Sequence, residues 1–271
     1  MFLNRFPDYN LYTIEREVFS FDRYSTSKSF ENICAEVTID IFNKYENIYL
    51  LWSGGIDSTV VLLSFLKYSK KFFIVTTEFT EIEYYDLYNI LKKDENINLI
   101  TISNKDFNKY IYNLNNGIII TGDLGDQLFL SPLIFGNEDI KNLPYRMFIP
   151  DDIIEKNKNK IDLILNNTIN ANVANYLWGL DFIYKWNIVV NRLPKFFNKN
   201  NFLSFFNNIE FEKFAVSNQV KNSKWEGILY KKDMRDFIYK ETNDYEYSYT
   251  KEKIGSQKVF LKKDFKNDYY L

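Results

Sequence analysis

The amino-acid sequence predicts an α/β protein, with a doubly wound parallel sheet followed by a mostly helical C-terminal half. The first observation is a series of four short apolar runs, each about as long as a buried strand. These runs are Ile48–Trp52, Phe72–Thr77, Asn98–Ile102 and Gly117–Thr121. The second is that helical patterns separate the runs, and this alternation is typical of a right-handed parallel sheet. The third is that glycine-rich segments follow two of the runs, at strand ends where such sheets bind ligands.

Apolar residues at helical spacing predict a helix over residues 29–45, ahead of the first strand. Its apolar face consists of Phe30, Ile33, Cys34, Val37 and Ile41. Cys34 is expected to pack there as a small buried hydrophobe. The helices between the strands carry Val60, Val61, Leu63 and Leu66 in the first and Ile82, Tyr85 and Leu91 in the second. Thr80 and Glu83 have the spacing of a capping box for the second, and Asp106–Leu114 is the third predicted helix.

The predicted organisation has three parts. Residues 1–28 are aromatic and irregular, residues 29–150 form the α/β core, and residues 151–271 form a mostly helical region packed on it. Pro144 and Pro150 mark the expected boundary. The helices predicted beyond it cover residues 151–166, 172–186, 201–217 and 230–240. The polar, tyrosine-rich segment from Asn243 is expected to be a loop or a lid.

Composition excludes several kinds of chemistry. The 271 residues include no histidine and one cysteine, so Ser-His-Asp hydrolysis, His-ligated zinc and an internal disulfide are excluded. A catalytic metal would have to sit on carboxylates, which suits Mg²⁺. The net charge of −2 gives no electrostatic case for nucleic acid or an anionic membrane. Without a signal peptide or an apolar run of membrane-spanning length, a cytoplasmic protein is expected, with no membrane partner.

The stretch "LLWSGGIDSTVVLLSFL" joins the first predicted strand to the first predicted helix after it. Gly54 and Gly55 allow positive φ angles and close approach of the backbone to a ligand. The N–H groups that follow, at a helix N-terminus, form a cradle for an anion, and Ser53, Ser58 and Thr59 add hydroxyl groups. Asp57 would repel phosphate unless a cation lay between them, so its presence indicates Mg²⁺.

The pattern lacks the lysine of a Walker loop and matches S-G-G-x-D-S, the signature of the PP-loop ATP pyrophosphatases. The alternative is an ordinary Gly-Gly turn closed by a helix cap, but such a turn does not require the Asp-Ser pair.

A second motif, T-G-D-L-G-D-Q-L-F, runs from Thr121 to Phe129 after the fourth predicted strand. Taken alone, a Gly/Asp-rich loop is more often a turn than a site. Because it follows a strand of the same predicted sheet, it is expected to face the first loop.

Together the two motifs resemble the synthetase domain of the asparagine synthetases and their relatives, the β-lactam synthetases and lasso-peptide cyclases. Those proteins pair a PP-loop with a loop of the type S-G-x-G-A-D-E-L-F. Gly122 and Asp126 match that loop, whereas Leu124 replaces its second glycine, Gly125 its alanine and Gln127 its glutamate. The resemblance implies the adenine nucleotide alpha hydrolase-like form of the α/β fold.

Weaker similarities follow in the family's order and spacing. "NNFLSFF" resembles the P-F-L-D segment, with Ser204 in place of its aspartate and Phe197 in place of an upstream glutamate. "YKKDMRDFI" resembles the K-x-x-L-R helix, and "KEKIGS" resembles the R-x-K-x-G-F loop, in which Lys253 takes the place of the catalytic lysine. The alternative for Lys251 and Lys253 is a solvated, charged tail.

The resemblance implies cleavage of ATP between its α and β phosphates, with adenylation of a carboxylate and transfer to ammonia or an amine. It implies that Asp57 and Asp126 hold Mg²⁺, and that Gly122 joins the first loop in holding ATP. Lys253 would stabilise the α-phosphate or an oxyanion, with Lys232 as a second basic candidate. Adenine would lie near Val75 and Thr76. Asp123 lies where a relative has a catalytic tyrosine.

The partners implied are ATP and a small carboxylate or peptide. The larger family members carry a glutaminase domain with a cysteine at position two, where this chain has Phe2. Ammonia or an amine is therefore expected from elsewhere, such as a separate protein.

Two alternatives remain open from the sequence. The first is another PP-loop enzyme that modifies a nucleobase or tRNA, against which the single cysteine and the balanced charge argue. The second is a non-catalytic nucleotide-binding relative, which Leu124 and Gln127 favour and the intact first motif opposes.

Overall fold

The structure is a computed structural model of the chain that describes residues 26–68, 71–129, 186–221 and 231–251, with isolated positions between 155 and 183. Its strands are β1 (Ile48–Leu51), β2 (Phe73–Thr77), β3 (Asn98–Ile102), β4 (Ile118–Thr121) and β5 (Phe202–Ser204). Its helices are α1 (Phe30–Lys44), α2 (Ile56–Tyr68), α3 (Glu78–Glu83), α4 (Tyr85–Lys93), α5 (Asn104–Asn113), α6 (Gly125–Phe129), α7 (Trp186–Phe197), α8 (Ile209–Lys221) and α9 (Lys232–Thr242). A π-helical turn, Glu246–Thr250, follows α9.

The chain divides into two compact units. The sheet unit consists of Cys34–Gly122 and Lys231–Leu271, and the helical unit consists of Met1–Ile33 and Asp123–Tyr230. This division differs from the expected boundaries at residues 28 and 150. The difference arises because the chain returns to the sheet unit at Lys231, where α9 packs against α2.

The sheet unit contains four parallel strands in the order β3-β2-β1-β4, with helices on both sides of the sheet. Leu50 of β1 lies opposite Ile74 of β2 on one side and Ile120 of β4 on the other, and all three are fully buried. All four predicted strands are therefore confirmed, with ends that differ by at most one residue. Their carboxyl ends lie at one edge, as parallel pairing requires.

The predicted α1 and α2 are confirmed, and Cys34 is buried in the core as expected. The third predicted helix is present as α5. Within the described residues no helix has both the length and the apolar character needed to cross a membrane.

The helix predicted across Ile82, Tyr85 and Leu91 is instead two helices, α3 and α4, separated at Tyr84 (φ −148°, ψ 76°). The capping-box prediction for Thr80 is wrong. Thr80 lies inside α3, and its hydroxyl donates to the backbone carbonyl of Trp52 at 3.1 Å. Leu91 is buried, whereas Ile82 and Tyr85 are exposed.

In the helical unit, the helix predicted over residues 201–217 begins later. Residues 202–204 form β5, and α8 starts at Ile209, where the Asn208 side chain accepts a hydrogen bond from the Glu210 N–H at 2.9 Å. That contact is an N-cap, and the asparagine supplies it. Most of the helices predicted over 151–166 and 172–186 lie outside the described residues.

Candidate functional site

The loop between β1 and α2 packs against α3, and its glycines allow that close approach. Gly54 has a φ of +74°, which favours glycine. A Cβ atom at this position would lie 2.6 Å from Cβ of Glu83, so the backbone of the loop packs directly against α3. The Trp52 N–H donates to the Val75 carbonyl at 2.9 Å and extends the sheet pairing into the loop. The loop therefore begins directly at the carboxyl end of a paired inner strand.

Two serine hydroxyls lie together in this loop, as the motif predicts. The oxygens of Ser53 and Ser58 are 3.0 Å apart, and the Ser53 N–H donates to Ser58 Oγ at 3.2 Å. Ser58 is buried, whereas Ser53 is exposed. Ser53 is thus the serine of this pair that faces solvent.

Thr59 is fully buried, and its hydroxyl belongs to a chain of hydrogen bonds. Trp52 Nε1 donates to Thr59 Oγ1 at 3.0 Å, and Thr59 Oγ1 lies 2.9 Å from the Tyr247 hydroxyl. The Tyr247 hydroxyl donates to the Gly54 carbonyl at 2.6 Å. Since tyrosine has one hydroxyl hydrogen, Thr59 must be the donor to Tyr247. We therefore assign Thr59 to holding the loop, in place of the predicted direct contact with phosphate.

Gly122 brings the start of the second motif against the first loop. A Cβ atom there would lie 2.7 Å from the backbone nitrogen of Ser58 and 2.9 Å from the carbonyl carbon of Asp57. Only glycine allows backbones to approach this closely. The expected proximity of the two motifs is therefore confirmed for Gly122.

The carboxylate of Asp57, in the first turn of α2, accepts a hydrogen bond from the ammonium of Lys231. The two residues are 174 positions apart in the chain. The Lys231 side chain is 4% exposed and that of Asp57 25% exposed. Burial makes this ion pair sensitive to the loss of either partner, because a lone buried charge is costly.

A second ion pair, which is partly buried, lies on the α3 side of the loop. Lys251 Nζ is 2.6 Å from Glu83 Oε2 and also donates to the Glu83 backbone carbonyl. It lies 4.8 Å from the centroid of the Tyr247 ring. Arg235 holds the backbone of this segment, donating to the Ser248 carbonyl at 2.7 Å and to that of Lys251 at 3.3 Å. Two lysines from the C-terminal part of the sheet unit therefore lie beside the loop.

The basic candidates are placed differently from the prediction. The side chain of Lys232 is exposed and pairs with Asp236 on the surface of α9, whereas its neighbour Lys231 reaches Asp57. Lys231 has a left-handed φ of 55° immediately before α9, so the two side chains leave the backbone in different directions. Lys253 lies outside the described residues.

Val75 and Thr76, predicted near adenine, are both 1% exposed. Almost none of the surface of either residue, backbone or side chain, is therefore accessible in this structure. Their role stays a prediction.

From Asp123 onward the second motif belongs to the helical unit. Asp123 accepts a hydrogen bond from Arg192 at 2.7 Å, and its backbone carbonyl accepts one from Ser204 at 2.7 Å. The similarity to the P-F-L-D segment thus marks residues that contact this loop. Leu124 has a φ of 81°, a conformation that favours the glycine which the resembled family has at that position.

The two carboxylates of the predicted metal pair belong to different units. Asp57 lies in the first turn of α2 in the sheet unit, and Asp126 lies on α6 in the helical unit. No group of three or more Asp, Glu, Cys or His side chains able to hold a metal ion occurs in the described part of the chain. Mg²⁺ in nucleotide sites usually has one or two carboxylate ligands, with phosphate and water completing its shell. Asp57 fits that kind of site.

Sequence reasoning did not name five residues as site residues, although all of them contact the loop or hold a residue that does: Lys231, Tyr247, Lys251, Glu83 and Arg235. The choice of Lys232 as the basic candidate did not use the spacing from Arg235, which selects Lys231. The K-x-x-L-R similarity, in which Arg235 and the first lysine fall together, was the available signal for two of them.

No protein-family model matches the chain, and no similar sequence is found among curated proteins. The resemblance to the asparagine synthetases therefore rests on the sequence motifs.

The chain of hydrogen bonds predicts a sensitivity to alkaline pH. Burial raises the pKa of Tyr247 well above its ordinary value. Because an unfolded tyrosine has a pKa of about 10, the stability from the neutral hydroxyl is complete below pH 10 and is lost as the pH rises further. We expect urea unfolding to show a smaller loss of stability above pH 10 in Tyr247→Phe than in the wild type. The exposed Tyr245 provides the control, and Tyr245→Phe should lose as much stability above pH 10 as the wild type. An equally large loss of stability in Tyr247→Phe would contradict the assignment.

Proposed function

We propose that the protein is an ATP-dependent synthetase that cleaves ATP between the α and β phosphates and forms an amide. It adenylates a carboxylate and transfers the acyl group to ammonia or an amine. The observation that carries the proposal is the first loop itself. An S-G-G-x-D-S turn lies at the carboxyl end of β1, opens α2, and receives the buried Lys231 from a distant part of the chain.

The loop has the parts needed to hold a pyrophosphate group. The N–H groups at the start of α2 point toward the loop, and a helix N-terminus favours an anion. Ser53 and Ser58 supply hydroxyl groups, and Gly54, Gly55 and Gly122 permit close approach. Lys231 supplies a positive charge. Its ammonium group would bind the triphosphate either in place of the Asp57 carboxylate or together with it.

Asp57 is the residue that would hold Mg²⁺ together with the phosphates, and Asp126 stays the predicted second ligand. Mg²⁺ bound there would neutralise charge that develops as pyrophosphate departs. With Lys231 close by, Asp57 also fixes the position of that lysine.

The reaction balances in two steps. An oxygen of the substrate carboxylate attacks the α-phosphorus, the bond to the β-phosphate oxygen breaks, and pyrophosphate leaves with that electron pair. The amine nitrogen then attacks the acyl carbon and loses a proton, and AMP leaves with the electron pair of the acyl–oxygen bond. Lys251, which lies beside the loop on Glu83, is the described lysine that we assign to the charge on the α-phosphate, in place of Lys232.

A non-catalytic nucleotide-binding role is the second candidate. The observation that favours it is that both lysines beside the loop already have carboxylate partners. A binding protein would retain affinity for ATP without producing AMP.

The experiment that tests the proposal is an assay of AMP and pyrophosphate release from ATP with Mg²⁺. Pools of carboxylic acids are supplied with ammonium, and the wild type is compared with Asp57→Ala. We expect both products from the wild type and a rate of product release at least about a hundredfold lower in the variant. The reason is that stabilisation of the charge on the departing pyrophosphate is a large part of catalysis. Production of ADP, or ATP binding with no AMP from any pool, would contradict a synthetase.

A further inference from the structure

We propose that Tyr247 is a positioning residue that locks the peptide plane between Gly54 and Gly55 and thereby aims the Gly55 N–H at the bound phosphate. This inference rests on the proposed function of the loop and adds a residue to it. Tyr247 is buried, comes from the segment beyond α9, and donates its hydroxyl hydrogen to the Gly54 carbonyl at 2.6 Å.

The geometry of the peptide bond links the two groups. In a trans peptide the C=O of one residue and the N–H of the next lie in one plane and point in opposite directions. The carbonyl of Gly54 and the N–H of Gly55 belong to the same peptide. When Tyr247 holds the carbonyl on its own side of the loop, the N–H must point to the other side. There its described acceptor is Ser53 Oγ at a long 3.4 Å, so the donor is weakly used within the protein.

This peptide needs an external hold. It is flanked by two glycines, which adopt positive and negative φ angles about equally well, so rotation of the whole plane meets little steric resistance. A rotated plane would turn the carbonyl oxygen toward the anion, where it would repel phosphate. A hydrogen bond to the carbonyl removes that alternative.

Tyr247 is itself fixed from several directions. Its ring stacks on that of Tyr84 with centroids 3.4 Å apart and planes 7° from parallel. Its hydroxyl accepts from Thr59, which in turn accepts from Trp52 Nε1. Its backbone N–H donates to Asp244 Oδ1 at 2.9 Å. Because ring and backbone are held independently of the hydroxyl, Tyr247→Phe removes the hydrogen bonds and retains the packing.

The test compares four forms of the full chain: wild type, Tyr247→Phe, Thr59→Val, and the double variant. ATP affinity is measured with Mg²⁺, and the Gly55 amide resonance is followed in nucleotide-free protein labelled with ¹⁵N-glycine. Urea unfolding of each form separates loop effects from global stability. Tyr245→Phe, at an exposed tyrosine nearby, is the control.

We expect about tenfold weaker ATP binding in Tyr247→Phe, the size of one hydrogen bond whose buried acceptor loses its donor. The Gly55 amide should shift or broaden in that variant before any nucleotide is added. Since Thr59 acts through Tyr247, the double variant should bind ATP only slightly more weakly than Tyr247→Phe.

An unchanged Gly55 amide in Tyr247→Phe would overturn this inference, whether or not the wild type binds ATP. ATP affinities that fall additively in the double variant would also overturn it, because the two hydroxyls would then act separately. Failure of the wild type to bind ATP would instead overturn the proposed function, and the Gly55 amide would still report on the peptide plane.

Discussion

Replacing Lys231 with methionine is expected to weaken ATP binding by about a hundredfold, roughly 2.7 kcal/mol. The lysine is the buried positive charge at the loop, and methionine keeps its length and most of its apolar contacts while removing that charge. Loss of the charge removes one of the positive charges that would offset the repulsion between the phosphates and the Asp57 carboxylate. Titration calorimetry of ATP with Mg²⁺ measures the change.

Lys232→Met is the matched control, since it alters the next residue of the chain in the same way. Its side chain is exposed and pairs only with Asp236 in the described contacts, so affinity for ATP should change less than about twofold, as expected for a surface ion pair. Equal losses in the two variants, or a larger loss in Lys232→Met, would show that the structure assigns the wrong lysine.

Gly122→Ala is the second large effect expected, and it acts on the approach of the two motifs. The added methyl group would lie 2.7–2.9 Å from backbone atoms of Asp57 and Ser58, and backbone cannot rotate away as a side chain can. Overpacking of this kind costs about 1–3 kcal/mol. We expect urea unfolding to show a loss of stability in that range, with weaker ATP binding because the first loop is displaced.

Gly55→Ala is the control for stability, because a Cβ there would meet only Ser53 Oγ, at 3.4 Å. Gly55 also lacks the left-handed φ of its neighbour Gly54. Its free energy of unfolding should change by less than that of Gly122→Ala. A Gly122→Ala protein as stable as the wild type would mean that the motifs do not approach as closely as the structure has them.

The sheet was predictable from sequence because a buried parallel strand leaves a direct signature, a short apolar run such as Ile118–Thr121. The first loop was predictable because its chemistry requires particular residues in consecutive positions. The break at Tyr84 was not, since apolar spacing continues across it and only tertiary packing of the tyrosine ring distinguishes two helices from one.

The residues that complete the site were harder to find for a different reason. Lys231 and Tyr247 lie far from the loop in sequence, and a single lysine or tyrosine has no spacing pattern that separates a site residue from a surface one. Lys231 is distinguished from Lys232 by its left-handed backbone and its burial, which are properties of the folded chain. The similarity to the K-x-x-L-R helix places its lysine at Lys231, four residues before Arg235, and this spacing favours Lys231 over Lys232.

The measurement that tests the central claim most directly is a spectrum of ¹⁵N-glycine-labelled protein recorded with and without ATP and Mg²⁺. The chain has nine glycines, so each amide can be resolved, and Gly55→Ala identifies one of them by its disappearance. Gly117, which precedes β4 at the opposite end of that strand from the loop, is the internal control. We expect the amides of Gly54 and Gly55 to shift on addition of ATP, pyrophosphate to reproduce the shifts, and the Gly117 amide to stay where it is. ATP binding that leaves Gly54 and Gly55 unchanged would contradict the central claim.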